Sequence, residues 1–192
     1  MVKEIELADE RVVEDLDTLR LLADPLRLRL LAAFYDRARS VKEAAARLGL
    51  PPAKLYYHVE LLERHGLIAI ASTRVVSGIT EKHYRATARN FRVDRRLLAL
   101  ADSDAAIDSY LAAVLDVTRA EAERSACAGA FNPGSDYTVL ARNVVRLSPD
   151  RLAAFKAEID ALLSRFQSAS ADGADLPAQN ITIAYFPLME LD

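Results

Sequence analysis

The chain has 192 residues, of which 52 % are apolar and 28 % charged, and its formal net charge is -3. This length and composition show few signs of general disorder and suit one compact domain or two small ones, of which we expect two. The single cysteine, Cys127, excludes an internal disulfide framework and a cysteine-based zinc cluster, and we expect a buried, inert thiol.

Sequence motifs of catalysis, cofactor binding and membrane insertion are absent. There is no GxGxxG, GxxxxGK[ST] or GxSxG pattern, and the three histidines stand outside any CxxC or HExxH spacing. No run of about 18 uncharged apolar residues occurs, and the N-terminus is acidic, unlike a secretory signal. The sequence therefore predicts a soluble, cytoplasmic protein that is not an enzyme, with no cofactor, no metal and no membrane partner.

Charge is distributed unevenly along the chain. Residues 1–19 carry a net -5, residues 20–96 carry 16 basic and 7 acidic side chains for a net +9, and residues 97–192 carry a net -7. A strongly cationic block inside an acidic protein is the pattern expected where one part of a protein meets phosphate.

Two helices are predicted before residue 40. Apolar residues recur at intervals of three and four over residues 11–22, which indicates a short helix. Asp24 is a good N-cap and Pro25 suits a first helical turn, so a second helix starts at Pro25. The apolar side chains that it should bury are Leu26, Leu30, Leu31 and Phe34.

A third and a fourth helix are separated by a tight turn. Ser40 and Glu43 form an S-x-x-E capping box, and the helix that they open ends at Gly49. Prolines then open the fourth helix, which extends over residues 52–65. At about 100° per residue, its buried stripe is Leu55, Val59 and Leu62, and its opposite side is Ala53, Lys54, Tyr57, Glu60, Leu61 and Arg64.

A basic hairpin follows Gly66. Residues 67–71 and 81–88 read as strands, and residues 72–80 as the loop between them, with a glycine at its tip. Short helices, a tight turn, an outward-facing helix and a hairpin are the order of a winged helix-turn-helix. The polar, basic segment 89–96 marks the predicted boundary of this first domain, which covers residues 1–96.

Residues 97–192 are predicted to form a second domain, a long helix followed by a small α/β unit. The long helix spans residues 104–127 and has five residues along one side: Ile107, Leu111, Val114, Leu115 and Thr118. The later elements are a break at 132–134, a strand at 137–147, a helix opened by Ser148 that ends near 168, a loop at 169–178 and a strand at 180–189. The fold class is therefore mainly α with α+β.

Two stretches of the first domain resemble a known family. LADPLRLRLLAAF and YYHVELLERHGLI, with the patterns LxDPxRLxLL and YYHVxxLxxxGLI, resemble the winged helix-turn-helix of ArsR-like transcriptional regulators, over residues 19 to about 88. The resemblance implies a homodimeric repressor or activator that contacts double-stranded DNA through the fourth helix and the hairpin. It does not extend to metal sensing, because the cysteine or histidine clusters of the metal-sensing members are missing.

Candidate DNA contacts lie on the outer side of the fourth helix and on the hairpin. A tyrosine can give its hydroxyl to phosphate and its ring to a thymine methyl, and a lysine near a helix N-terminus can reach a guanine edge. Hairpin cations can grip phosphate or the minor groove, with Gly78 allowing the tight turn. The candidates are Ala53, Lys54, Tyr56, Tyr57, Glu60, Arg64, Arg74, Lys82 and Arg85.

Several alternatives stay open. Tyr56 fits core packing equally well, and His58, beside the buried stripe, is interpreted as a packing or hydrogen-bonding residue. Winged helices also serve as dimerisation or protein-interaction modules without DNA binding, although the +9 block favours DNA. A catalytic C-terminal unit would have Tyr137, Arg142 and Asn143 as its clustered polar groups.

The long helix is expected to be the dimer face, with a purely scaffolding role as the alternative. Symmetric operators about one helical turn apart would follow from such a dimer. The sequence leaves open the operator, the sign of regulation and the identity or existence of a small-molecule effector.

Overall fold

The computed structural model describes residues 7–76, 78–94, 96–97, 104–129, 145–168 and 181–183. A single turn of 3-10 helix, Pro52–Lys54, precedes the fourth α-helix. The other elements in chain order are β1 (Ala8–Val13), α1 (Leu16–Leu22), α2 (Pro25–Ala32), β2 (Arg39–Ser40), α3 (Val41–Leu48), α4 (Tyr56–Arg64), β3 (Ile68–Val76), β4 (Ile79–Ala86), β5 (Ala88–Val93), α5 (Asp104–Cys127) and α6 (Pro149–Ser168).

The first helix begins at Leu16, so the prediction of helix from residue 11 is wrong for its first turn. Those residues belong to β1, which pairs in parallel with β5 and places Val13 opposite Val93. Consecutive β-branched valines favour a strand where a partner is available, and that partner lies far along the chain. The Asp15 side chain then caps α1 by accepting a hydrogen bond from the backbone N–H of Thr18 at 2.7 Å.

Helix α2 begins at Pro25, as predicted. The Asp24 carboxylate accepts hydrogen bonds from the backbone N–H groups of Leu26 at 2.8 Å and Arg27 at 3.1 Å, which satisfies two donors at the start of the helix. The expected burial is confirmed for Leu30, Leu31 and Phe34, while Leu26 is partly buried at the edge of the core. This core anchors the helices on which the rest of the domain is built.

The hairpin is longer than predicted. β3 and β4 pair in antiparallel register from Ile68 opposite Ala86 to Val76 opposite Ile79, with an irregularity between Ile70 and Ser72. The prediction of a loop over residues 72–80 is therefore wrong, since both strands continue through it and only residues 77 and 78 separate them. Cross-strand pairing supports a ribbon whose local sequence, rich in Ser, Thr and Gly, is typical of a loop.

The base of the hairpin is tied to the helices through the short strand β2. Arg39 lies opposite Tyr84 and Ser40 opposite His83, so the sheet order is β2-β4-β3. The backbone N–H of Ala86 also donates to the carbonyl oxygen of Phe34 at 3.0 Å. These contacts fix the direction in which the hairpin leaves the domain.

The basic segment after the hairpin is a strand for most of its length. β5 includes five of these residues, 89–93, and pairs with β1, where the Arg92 guanidinium donates from Nε to the Glu10 carboxylate at 2.9 Å. The boundary between residues 96 and 97 stays a prediction.

Helix α5 has the bounds that its periodicity predicts. Ala106 and Ala113 are buried, and α5 packs against α1 and α2. Leu111 and Leu115 remain exposed on the helix that the sequence predicts as the dimer face, and that prediction stays open. Small alanines allow close approach between helices, which explains why the bulkier leucines are left outside. Cys127 at the end of α5 is exposed, so the prediction of a buried thiol is wrong.

Helix α6 agrees with the predicted helix that follows Ser148. The described parts of the two strands predicted around it, residues 145–147 and 181–183, have no regular secondary structure. Thr118 on α5 contacts Thr182, with 3.0 Å between their hydroxyl oxygens. The predicted break at 132–134, the loop at 169–178, the remainder of both strands and Tyr137, Arg142 and Asn143 lie outside the described residues.

Candidate nucleic-acid interface

Helices α3 and α4 are connected by the turn that the sequence predicts. The Glu43 carboxylate accepts from the Ser40 backbone N–H at 2.7 Å, and the Ser40 hydroxyl accepts from the Glu43 backbone N–H at 3.3 Å, which completes the capping box. Gly49 ends α3 with φ +67°, in the left-handed region that favours glycine. The capping box and this glycine therefore define the start and the end of α3, directly before the turn that leads to α4.

One side of α4 is buried in the core, as predicted. Leu55 and Leu62 are fully buried and Val59 is 2 % exposed. Burying a side chain of this size contributes about 1.5–3 kcal/mol, so this stripe fixes the rotation of the helix about its own axis. The side chains opposite the stripe are consequently directed away from the core.

The outer side of α4 is open to solvent. Tyr57 is 66 % exposed and Tyr56 is 53 % exposed, so the open question about Tyr56 is decided against core packing. Leu61, expected on this side, is instead partly buried against the core. The other exposed candidates on the helix and on the turn before it are Ala53, Lys54, Glu60 and Arg64.

Charged side chains on this surface are partly preorganised. Arg64 donates to the Glu60 carboxylate at 2.8 Å, one turn apart on the helix, and both side chains are about two thirds exposed. Lys54 ends the 3-10 turn, so its ammonium group lies near the N-terminal end of α4. His58 is half-buried, and its ring packs edge-on against Tyr57 with 5.8 Å between the centroids.

The C-terminal end of α4 is held by residues that the sequence did not single out. Arg11 on β1 donates from one guanidinium nitrogen to the Gly66 carbonyl and from the other to the His65 carbonyl at 2.8 Å. The His65 Nδ1 atom lies 3.0 Å from the Thr18 hydroxyl. A guanidinium at a helix C-terminus satisfies its last carbonyls and complements the negative end of the helix dipole. No local pattern could have found Arg11, because its partners lie more than 50 residues away.

The hairpin, called the wing from here on, brings its three candidate cations to two different faces. Arg74 lies opposite Glu81, whereas Lys82 lies opposite Thr73 and on the other face of the ribbon. Arg74 and Lys82 are exposed, and Arg85 is half-buried on the same face as Glu81. The wing tip adds an apolar surface, with Val75 70 % exposed and Ile79 72 % exposed.

Helix α3 carries exposed cations that the candidate set lacks. Lys42 and Arg47 are both exposed, and the Lys42 ammonium lies 3.5 Å from the Glu81 carboxylate on the wing. Their positions on the outer side of a capped helix were readable from the sequence. By contrast, Arg27 is engaged with Asp24 at 3.2 Å, and Arg29 donates to the Leu48 carbonyl at 3.4 Å.

Within the described residues, no group of three or more His, Cys, Asp or Glu side chains is arranged to hold a metal ion. None of the described helices combines the length and the apolar character needed to cross a bilayer.

Comparison with known proteins identifies the segment that contains α2, α3 and α4. Residues 22–71 match a family model described as a helix-turn-helix domain. No curated protein matches the chain. The match begins at the last residue of α1 and ends within β3, so it contains the capped helix, the turn and the helix with the open outer side. Residues 22–71 are thus similar to a helix-turn-helix domain, the kind of domain that DNA-binding regulators use to place a helix in the major groove.

Proposed function

We propose that this chain is a transcriptional regulator of the ArsR-like type that binds double-stranded DNA as a homodimer and represses transcription by occupying its operator. The observation that carries the proposal is the open outer side of α4 within a matched helix-turn-helix domain. A helix whose inner stripe is fully buried can present its outer side rigidly to a groove.

In this mechanism α4 lies in the major groove. Recognition helices contact base edges through their N-terminal residues, where Lys54, Tyr56 and Tyr57 are exposed. The lysine can donate to guanine, and the tyrosine rings can contact thymine methyl groups. Glu60 can accept from a cytosine amino group, while Arg64 reaches the backbone beyond it.

The wing supplies contacts beside the groove. Arg74 and Lys82 are exposed on opposite faces of the ribbon, so they would reach phosphates from different sides of the wing. The half-buried Arg85 acts closer to the base of the wing. Phosphate contacts of this type position the protein and carry little sequence information.

Charge supports the same assignment. Residues 20–96, which carry a net charge of +9, include the matched domain and the wing. The segments before and after them are acidic. The acidic segments limit nonspecific binding of DNA to other parts of the protein, because their carboxylates repel the phosphate backbone. A homodimer would place its two α4 helices in half-sites about 10 base pairs apart, on a symmetric operator.

Selection of bound fragments from a random duplex pool tests the proposal directly. The purified full chain should enrich a symmetric site, and its affinity can then be measured by fluorescence anisotropy. Lys54→Ala and Tyr57→Ala should each weaken operator binding by about 1–3 kcal/mol, which is the range for a base contact. The matched control is Lys156→Ala, which removes an exposed lysine from α6 and should leave the affinity unchanged.

Three results would contradict parts of the proposal. Unchanged binding by both α4 variants would remove Lys54 and Tyr57 from the interface. Equal losses in the Lys156→Ala control would mean that total charge, and not α4, determines affinity. Absence of binding to any duplex at low salt by the folded protein would favour a protein-interaction module instead.

A further inference from the structure

The end of the wing is apolar and is largely uncovered by the described part of the chain. Ile79 is 72 % exposed, Val75 is 70 % exposed and Val76 is 41 % exposed. A Cβ built on Gly78 would meet nothing within 4 Å, so the turn stands in open space. Val76 lies opposite Ile79 as the last residue pair of the ribbon, called the tip pair from here on. An apolar cluster at a hairpin end, where polar turn residues are usual, indicates a contact surface.

The wing carries the tip pair well beyond the helices. β2 pairs with β4 only as far as His83. Beyond that residue the ribbon of β3 and β4 continues for four residue pairs and ends at the tip pair, a length of about 13 Å at about 3.3 Å per residue. The minor groove of B-DNA is about 7.5 Å deep. The tip pair can therefore reach the base pairs at the floor of that groove while the base of the wing stays on the domain.

Charges around the tip pair favour a duplex as its partner. Arg74 is exposed on the same face of the ribbon as the tip pair, and Lys82 is exposed on the other face. Glu81 is engaged by Lys42, whose ammonium lies 3.5 Å from its carboxylate. A minor groove has phosphates along both rims and base pairs at its floor, so it complements an apolar tip between two cations. An apolar protein partner would match the tip pair and leave both cations without a counter-charge.

We infer that the tip pair enters the minor groove of the bound duplex and wedges between two adjacent base pairs, which kinks the DNA. The inference rests on the proposed DNA binding and deepens it, because it gives the apolar tip a role separate from that of the wing cations. Apolar side chains, isoleucine among them, unstack base steps in this way in minor-groove proteins and bend the duplex by about 20–90°. Valine and isoleucine are stiff at χ1, so little side-chain entropy is lost on insertion.

Such a wedge reads sequence without a hydrogen bond to any base. Pyrimidine–purine steps, TA and CA/TG, unstack and kink more easily than other steps, whereas A-tracts are stiff. The wing should therefore select a pyrimidine–purine step at a fixed distance from the bases that α4 contacts. This preference would add to the base contacts proposed for Lys54 and Tyr57, which lie on a different element.

The kink can be measured with the full chain and the duplex selected from the random pool. Energy transfer between dyes at the two duplex ends reports the bend, and 2-aminopurine placed in the step reports unstacking. Ile79→Thr and Val76→Thr keep a β-branched side chain in the strand and replace a methyl or ethyl group by a hydroxyl group. Each should remove more than about half of the bend and of the fluorescence increase, while Ile79→Leu should retain both. The matched control is Val145→Thr, at a valine outside the wing that is 61 % exposed, and it should change neither signal.

Exchange of the DNA step separates a wedge from a merely structural role of the tip pair. Replacing the pyrimidine–purine step by AA should weaken wild-type binding by about 10-fold and Ile79→Thr binding by less than about twofold. Ile79→Thr should also leave the slope of log affinity against log salt unchanged, because it removes no phosphate contact. A poorly folded variant would lose affinity for both duplexes equally and would keep the step preference of its folded fraction.

The outcomes distinguish this inference from the proposed function. A straight duplex in the wild-type complex, an undiminished kink with both threonine variants, or the same step preference in wild type and Ile79→Thr would each overturn the wedge and leave DNA binding in place. A folded wild-type chain that binds no duplex would overturn the proposed function and the wedge together. If Ile79→Thr does not fold, the nearly isosteric Val76→Thr and the wild-type bend decide the matter.

Discussion

Arg11 connects the start of the chain to the end of α4. Its guanidinium binds the carbonyls of His65 and Gly66, and Gly66 has φ +66°, so a Cβ built there would lie 3.0 Å from Arg11 Nη1. Gly49 has almost the same φ, +67°, but a Cβ there meets nothing within 4 Å. The two glycines therefore share a backbone strain and differ in their contact with Arg11.

We expect Gly49→Ala to lower the free energy of unfolding by about 1–2 kcal/mol through the left-handed conformation alone. Gly66→Ala should cost about 1 kcal/mol more, because the methyl group displaces a hydrogen-bonded guanidinium. Urea unfolding measures both. In an Arg11→Ala background the difference between the two glycine variants should disappear, and its persistence would mean that Arg11 is not the cause.

Asp36 has a pKa held down to about 2 by its hydrogen bonds with Arg39. Arg39 is 3 % exposed, and its Nη2 atom lies 2.6 Å from the Asp36 carboxylate. Removing the carboxylate takes one hydrogen-bond partner from the buried Arg39 guanidinium, which keeps its hydrogen bond to the Ala33 carbonyl. The pair therefore stabilises the segment between α2 and α3, directly before the helix-turn-helix turn.

Asp36→Asn should lower the free energy of unfolding by about 1–2 kcal/mol at pH 7, a modest value because the carboxylate is 38 % exposed and partly screened. A depressed pKa contributes stability that is present above the unfolded value of 3.8 and is lost as pH falls toward 2. The difference between wild type and variant should accordingly shrink between pH 4 and pH 2. A difference that is constant over this range would assign the effect to packing instead of to charge.

At the scale of single elements, α3 depends on its cap. Ser40 is 1 % exposed and accepts from the Glu43 backbone N–H, so Ser40→Ala should cost about 1 kcal/mol of stability. Lys42→Ala, at an exposed position two residues later on the same helix, is the control and should cost less than about 0.5 kcal/mol. If Ser40→Ala and Lys42→Ala lower the free energy of unfolding equally in chemical denaturation, the cap adds nothing beyond general helix propensity.

The elements that were predicted correctly are those whose signals are local. Asp24 and Pro25 define the start of α2, Ser40 and Glu43 that of α3, and Gly49 its end. The buried stripe of α4 was also readable, since a helix repeats its faces over a few residues. Each of these signals operates within one or two turns and needs no partner from elsewhere in the chain.

The elements that were predicted wrongly depend on distant partners. The spacing of apolar residues predicts helix where β1 forms, because the partner strand β5 follows some 80 residues later. The local sequence predicts strands of the wing that are too short, because residues 72–80 have the composition of a loop and only the pairing of β3 with β4 makes them strands. Of the site itself, the exposed outer side of α4 was anticipated, while the Arg11 anchor and the split of the wing cations between two faces were not.

At the scale of the whole molecule, the proposed DNA binding should depend on salt, because the cationic block of residues 20–96 would neutralise phosphates. If a dimer neutralises about 6–10 phosphates, affinity should fall by about 10³-fold to 10⁵-fold between 50 and 200 mM salt. Arg74→Ala and Lys82→Ala in the wing should each reduce the slope of log affinity against log salt by about one for each phosphate contact that is lost. A flat salt response would contradict phosphate neutralisation as the source of affinity.

The sequence by itself determined the capped helices, the turn between α3 and α4, the inner stripe of α4 and the position of the cationic block, because these depend on near neighbours and on composition. Only the tertiary structure decided that Tyr56 is exposed, that Leu111 and Leu115 are left outside when alanines of α5 pack, and that Arg11 holds the end of α4. The physical reason is that burial and long-range hydrogen bonds are shared between segments that meet only after folding. A local pattern shows which side of an element is apolar, and the folded chain determines which apolar side finds a partner.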